Sequence, residues 1–296
     1  MTIFITGLIE RHAVQSSTLH IGSADIAVTY VDGPFPFPTE KLNDWIRTAA
    51  RAVSAYYGQF PVSHLLVRVS AFEGEGIRGG TTFANEDGTA SIYISVGRST
   101  SEEELNGDWM MTHEMVHLGF PSVSREHHWI EEGLATYVEP WARIRIGTLK
   151  PVKVWTDVVR DLPKGLPKRG DQGLDRTHTW GRTYWGGALF CLLADVQIRQ
   201  KTANKKGLED ALKAIDRAGG TIGADWELER AFKLGDTATG TNVFEDLYGK
   251  MKDNPFEVDL NSLWRQLGIR NNSGSVSLDN SAPLSAIRRS IESGHS

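Results

Sequence analysis

The feature that most limits what this chain can fold into is a change of hydrophobic period near Thr100. Before it, apolar residues alternate. In the stretch 24–31, Ile26, Val28 and Tyr30 share one face, the pattern of a half-buried strand. Residues 62–72, 77–83 and 90–96 read as further strands, and Asn85-Glu86-Asp87-Gly88 carries the turn chemistry to join the last two as a hairpin. One helix interrupts them, from Thr39, read as its cap, to Tyr57, with Leu42, Trp45, Ile46, Ala49, Val53 and Tyr56 on one side. The run Gly33-Pro34-Phe35-Pro36-Phe37-Pro38 breaks regular structure ahead of it.

Past Thr100 the spacing becomes helical. Ser101 to Glu104 form an acidic helix start, residues 108–118 continue or restart that helix, and 129–145 form another with Pro140 as a kink point. Residues 161–179, rich in Gly, Pro and charge, read as a long surface loop. Helices follow at 184–201, 208–218, 225–234, 243–251 and 260–267, then a short strand at Val276-Ser277-Leu278 and a final helix opened by Ser281-Ala282-Pro283. The expected fold class is α+β, with a β-rich lobe over residues 1–100 and a helical lobe over 101–296.

Composition narrows the function classes. A chain of 296 residues with 40% hydrophobic and 23% charged residues is an ordinary globular one, not a disordered, collagen-like or coiled-coil chain. Its net charge of −5 gives no electrostatic reason to bind nucleic acid or anionic lipid. No apolar run approaches the ~18 residues of a membrane span. Residues 1–9 are apolar but lack a preceding basic residue and a small-residue cleavage site, so they are not read as a signal peptide. The single cysteine, Cys191, excludes an intramolecular disulfide and sits in an apolar run as a core residue. The compartment stays open between the cytoplasm and a periplasmic or secreted location reached by a signal since lost.

The chemistry concentrates in His113-Glu114-Met115-Val116-His117. On a helix, residues four apart lie on one face, so both imidazoles can meet one metal ion. Zinc suits them: it takes neutral imidazole nitrogens in a tetrahedron and leaves a position for water. Glu114 stands one residue round, where its carboxylate can take a proton from that water. A third protein ligand is required, and Glu131 and Glu132 follow in Trp129-Ile130-Glu131-Glu132-Gly133-Leu134-Ala135-Thr136-Tyr137-Val138-Glu139. His127 and His128 are the other candidates for that third position.

The pair of segments resembles the gluzincin metallopeptidases, in particular the alanyl-aminopeptidase-like and glycyl-aminopeptidase-like families. The resemblance implies a thermolysin-like zincin catalytic domain holding one zinc per chain on His113, His117 and Glu132. It also implies Glu114 as general base, and Glu139 as a residue supporting the metal ligands from behind. The segment between His117 and Glu132 is shorter here than in the alanyl group. A metzincin pattern fails, because Phe120 and Val123 stand where its Gly and His are required.

A second stretch, Tyr184-Trp185-Gly186-Gly187-Ala188-Leu189 through Asp195, Arg199 and Leu208-Glu209-Asp210, is similar to a glycyl-aminopeptidase-like pattern, with Gly186 in place of its lysine. That similarity gives Tyr184 the role of donor to the developing oxyanion, with His178 as runner-up. Upstream, Arg78-Gly79-Gly80-Thr81-Thr82-Phe83 is similar to the Gly-rich edge strand on which these enzymes pair a peptide backbone, so Gly79, Gly80, Thr81 and Thr82 are candidate substrate contacts. The relatives carry a glutamate for the substrate amine where this chain has Thr82, and a neutral hydroxyl does not pair with an ammonium as a carboxylate does. Trp109, Trp129, Trp141 and Trp185 flank these motifs and are read mostly as packing. The expected function is a zinc metallopeptidase acting on a peptide or protein substrate, with exo- or endopeptidase action undecided. The rival readings are an inactive zincin-fold protein that binds a peptide or partner, and a hydrolase of a non-peptide amide or ester.

Overall fold

The computed structural model of the chain describes residues 15–272 and 274–294; the apolar stretch 1–9 lies outside them. A five-stranded sheet occupies the first third, in the order β1-β2-β3-β5-β4. Its strands are β1 Gln15–Ile21, β2 Ala24–Val31, β3 His64–Phe72, β4 Ile77–Ala84 and β5 Ala90–Gly97. Ala24, Ile26, Val28 and Tyr30 of β2 are buried in turn, as the alternation predicts, and so are Leu65, Val67 and Val69 of β3. Strand β1 escapes the sequence reading because, apart from Leu19, its residues are polar or stay partly exposed. Among the described residues it is an edge strand, paired with β2.

β2 and β3 run parallel, which requires a crossover, and α1 (Thr39–Tyr57) supplies it. Strand and helix are therefore interleaved in the front of the chain, giving a mixed α/β sheet. Thr39 does not cap α1: Pro38 holds the cap position and the Thr39 hydroxyl donates instead to Gln15 Oε1 of β1. β4 closes the other edge, antiparallel to β5, with a bulge between Arg78 and Thr81 that takes in Gly79 and Gly80.

Helices make up most of the rest. α2 (Glu102–Gly107) opens with a capping box between Ser101 and Glu104. Asp108 then ends it and starts α3 (Met110–His117) by accepting the backbone N–H groups of Met110 and Met111. α4 (His128–Arg145) runs unbroken through Pro140, and α5 (Pro151–Asp161), which the sequence reading missed, begins on its proline. A π-helical turn, Gly181–Gly186, leads into α6 (Gly187–Lys201). There follow α7 (Leu208–Arg217), α8 (Leu228–Thr239), α9 (Val243–Met251), α10 (Leu260–Leu267), the hairpin of β6 (Ile269–Asn272) with β7 (Ser275–Leu278), and α11 (Ser285–Ser293).

The stretch 161–179 is not a plain surface loop. Leu174 and Asp175 are buried in it, and their N–H groups bond to the carbonyls of Met251 and Lys252. Asp175 accepts from Trp129 Nε1 and Tyr248 Oη and meets His127 Nδ1 at 3.0 Å, which ties the stretch to the start of α4. Farther along, buried Arg182 pairs with Asp171 at 2.8 Å and donates to the Gly165 carbonyl, fastening the π-helical turn to the same stretch. Asp195, Arg199 and Glu209 form a buried ionic network that also takes the Tyr137 hydroxyl and the Leu208 N–H, so α4, α6 and α7 are locked together. Cys191 is buried, as expected. Among the described residues, no helix is long and apolar enough to cross a membrane.

Candidate metal centre

α3 and α4 cross so that one face of each looks at the other. His113 Nε2 stands 3.2 Å from Glu132 Oε2, and His117 Nε2 stands 3.8 Å from the same oxygen. One donor atom from each residue lies within 4.8 Å of the other two. Donors around a tetrahedral zinc lie ~3.3 Å apart, so the set matches that ion's size and chemistry with small shifts. Burial, aided by the neighbouring His113, drives the His117 imidazole down to about 3, leaving it neutral with a free lone pair. Burial acts to raise the Glu132 carboxyl, but the His113 contact and the imidazoles around it outweigh this and hold it below the usual range.

The other candidates for the third position have partners of their own. Glu131 turns to the Val123 N–H and to His128 Nδ1. His127 faces Asp175. His128 Nε2 comes within 3.4 Å of the other Glu132 oxygen, Oε1, and so braces that carboxylate from its far side. Glu139 is buried beside Arg143 Nη1 at 2.8 Å, and among the described residues no hydrogen bond joins it to either imidazole. The sequence reading gave it a supporting role at the metal; its observed partner is Arg143.

Glu114 points the opposite way round α3, towards β4. Its Oε2 accepts from the Thr82 hydroxyl at 2.6 Å, and its Oε1 lies where a side chain on Gly80 would be, 2.5 Å from a Cβ built there. A larger residue there would displace the side chains of Glu114 and Met110. Burial pushes the Glu114 carboxyl above the usual carboxylate range, with the Thr82 hydroxyl opposing it. Thr82 thus meets the carboxylate of α3, a contact the sequence reading did not foresee.

Tyr184, on the π-helical turn, stacks over His113 with ring centroids 6.4 Å apart, and exposed Trp180 stacks on its outer side. Burial and the carboxylates of Glu132 and Glu114 raise the Tyr184 hydroxyl to about 12, so it keeps its proton and can donate. π-helical turns recur at functional sites. His178 is exposed and does not line the cleft. Trp129 and Trp141 are buried as expected, whereas Trp109 is half exposed and meets His113 edge-on.

Trp109, His113, Glu114, His117, Glu132 and Tyr184 line one cleft of about 950 Å³ that follows β4 from Gly79 into the hairpin at Gly88. Its opposite wall includes Ser122, Ile222 and Asp225, held together because Leu118 and Ser122 carbonyls accept the N–H groups of Ile222 and Trp226. No motif marks these wall residues; they come from segments a hundred residues apart.

No family model matches the chain, and no curated protein does. Solved structures do. An aminopeptidase N family protein from Idiomarina loihiensis superposes with a TM-score of 0.63 at 12% identity, over 86% of this chain and 49% of the other. An M1 zinc metallopeptidase from Deinococcus radiodurans gives 0.51 at 15% identity, over 83% and 54%. The same Deinococcus enzyme, as a mutant bound to a Tyr-Ser-Ala substrate, gives 0.50 at 14% identity, over 83% and 53%. The chain spans about half the length of these proteins. At such identities the likeness is one of fold: a mixed α/β architecture shared with zinc peptidases.

Proposed function

We propose that this chain is a zinc-dependent metallopeptidase of the gluzincin kind, built as a thermolysin-like unit with its β-rich and helical lobes meeting near residue 100. The observation that carries the reading is the approach of His113 and His117 to a single Glu132 oxygen while Glu114, between them in sequence, faces the edge strand instead. Binding alone gives no reason for a carboxylate beside the ion that does not ligate it.

His113, His117 and Glu132 would hold the zinc. Once bound there, the ion would supply Lewis acidity to a water and to the carbonyl of the scissile bond. Glu114 takes a proton from the attacking water as the oxygen bonds to the carbonyl carbon. It then returns the proton to the nitrogen as the C–N bond breaks, leaving an acid and an amine. Tyr184 donates its hydroxyl to the developing oxyanion. Gly79, Gly80, Thr81 and Thr82 line the edge against which an extended peptide lies.

The test is zinc content together with Glu114→Gln. Purified protein should hold about one zinc per chain, and the variant should keep the metal while losing peptide hydrolysis by on the order of 10³-fold or more. A variant as fast as the parent would overturn the mechanism. A native protein that holds zinc and peptide but hydrolyses nothing would favour the inactive binding protein.

A further inference from the structure

We propose that Thr82 positions Glu114 and that, with this place on the edge strand held by a hydroxyl, the cleft takes internal peptide bonds rather than amino-terminal ones. The inference rests on the metallopeptidase reading and deepens it.

Thr82 lies on β4, the outer strand of the sheet, beside the catalytic helix α3. Its oxygen is 2.6 Å from Glu114 Oε2 and 2.9 Å from the Glu114 backbone carbonyl. Both acceptors belong to one residue, and the carboxylate oxygen is the nearer of the two. Gly80 backs the other carboxylate oxygen, and Met110 fills the space beside it, its Sδ 3.3 Å from the Gly80 nitrogen. The carboxylate is thus fixed between the hydroxyl of Thr82 and the bare backbone of Gly80. A base held this way starts in place and loses less freedom when it acts.

The same arrangement bears on the substrate. Cleaving at an amino terminus requires an ammonium to be held a fixed distance from the reacting carbonyl, which takes a carboxylate in the cleft. Among the described residues, the carboxylates lining it are Glu86, Glu114, Glu131, Glu132 and Asp225. Glu114 is held by Thr82, Glu132 faces three imidazoles, and Glu131 serves the Val123 N–H and His128. Glu86 and Asp225 are exposed, where an ion pair contributes little selectivity. What the cleft does offer is length: β4 flanks it from Gly79 to Ala84, which suits an extended chain passing through.

The experiment compares one peptide in two forms, free at both ends and blocked by N-acetylation and C-amidation, with zinc-loaded native protein, Thr82→Val, Thr82→Ala and Thr82→Ser. Products are read by mass spectrometry. The expected result is internal cleavage of both forms by the native protein with kcat/KM within about threefold of each other. Thr82→Val and Thr82→Ala should lose roughly 10- to 100-fold in kcat with KM and zinc content little changed, the effect of one charge-assisted hydrogen bond. Thr82→Ser should recover most of that loss, which a merely structural role for the methyl-bearing side chain would not give. Stepwise loss of single residues from the free form alone would overturn the substrate class. Full kcat in Thr82→Val would overturn the positioning role. In either case peptide bonds are still cut, so the peptidase reading stands; no cleavage of either form by zinc-loaded native protein would sink both.

Discussion

Gly133 of α4 and Gly187 of α6 touch with no side chain between them. A Cβ built on Gly133 would stand 2.2 Å from Gly187 Cα, and one on Gly187 would stand 2.0 Å from the Trp129 carbonyl oxygen. This contact sets Glu132, the residue before Gly133, close to the turn that carries Tyr184. Gly133→Ala is expected to force the helices apart at a cost of about 1–3 kcal/mol, lowering Tm by roughly 3–10 °C. Thermal denaturation checks it; an unchanged Tm would show the crossing to be looser than the distances imply.

Metal retention should separate the proposed ligands from their neighbours. His113→Ala, His117→Ala and Glu132→Ala should each leave the protein with well under one zinc after dialysis. His128→Ala, which removes the brace on Glu132 Oε1 and the contact with Glu131, should keep zinc but bind it about 10- to 100-fold more weakly. Metal analysis and a chelator competition measure both. Equal zinc loss in all four variants would refute the division of roles.

Tyr184→Phe should lower kcat on the order of 10²- to 10³-fold without changing zinc content, since it removes one preorganised donor and no ligand. His178→Ala should leave kcat within about twofold, because that imidazole is exposed away from the cleft. Steady-state kinetics on the two variants decides between the two residues, and the reverse outcome would exchange their roles.

Asp171→Asn should act on Tyr184 from a distance. It leaves the buried Arg182 without its ionic partner, which costs about 3–5 kcal/mol, and frees the π-helical turn that Arg182 fastens to Gly165. Urea unfolding should show the loss, and kcat should fall while zinc content holds. Loss of stability with kcat intact would mean that the turn keeps its place without this anchor.

The His127–Asp175 pair gives a pH dependence with a definite sign. Burial disfavours the His127 cation, but the hydrogen bond and charge of Asp175 outweigh it and hold the imidazole above its ordinary value. Asp175, in the same pair, is held below the usual carboxylate range against the effect of its own burial. The raised His127 contributes stability that is full below its unfolded pKa of about 6.5 and is lost as pH rises through its folded value. The lowered Asp175 contributes stability present above about pH 3.9 and lost as pH falls through its folded value. Native protein should therefore exceed His127→Gln most between these limits, with the margin shrinking above neutrality. A margin that holds or grows from about pH 6.5 to about pH 9 would contradict the assignment.

Much of this was legible in the letters because period and motif are local. Alternation marked β2, and the stretches 62–72, 77–83 and 90–96 read as β3, β4 and β5. The spacing of two histidines put both on one face of a helix, while the family resemblance singled out Glu132 of the next helix as the third member of the candidate set. What stayed hidden depends on long-range contact. Thr82 reads as a poor substitute for a substrate carboxylate until its hydroxyl is seen on Glu114, 32 residues away. Glu139 reads as a support for the metal ligands, and its ion pair with Arg143, one turn further along the same helix, was not foreseen. The stretch 161–179 looks like solvent-exposed punctuation, yet Leu174, Asp175 and Asp171 anchor it at three points that no periodicity reports. β1 carries too few apolar residues to announce itself, because an edge strand can be held by backbone hydrogen bonds alone.

The bulge at Gly79 and Gly80 has one further consequence. An outer strand with a long row of unsatisfied amides invites other sheets to add on, and regular neighbours would zip along it. Here the row is interrupted after Arg78, where Gly79 takes φ +69° and the register slips. A rigid foreign strand finds no continuous template there, whereas a short, pliable guest can bend to follow the step. Thus the irregularity on the edge proposed to receive a peptide would also discourage fibrils.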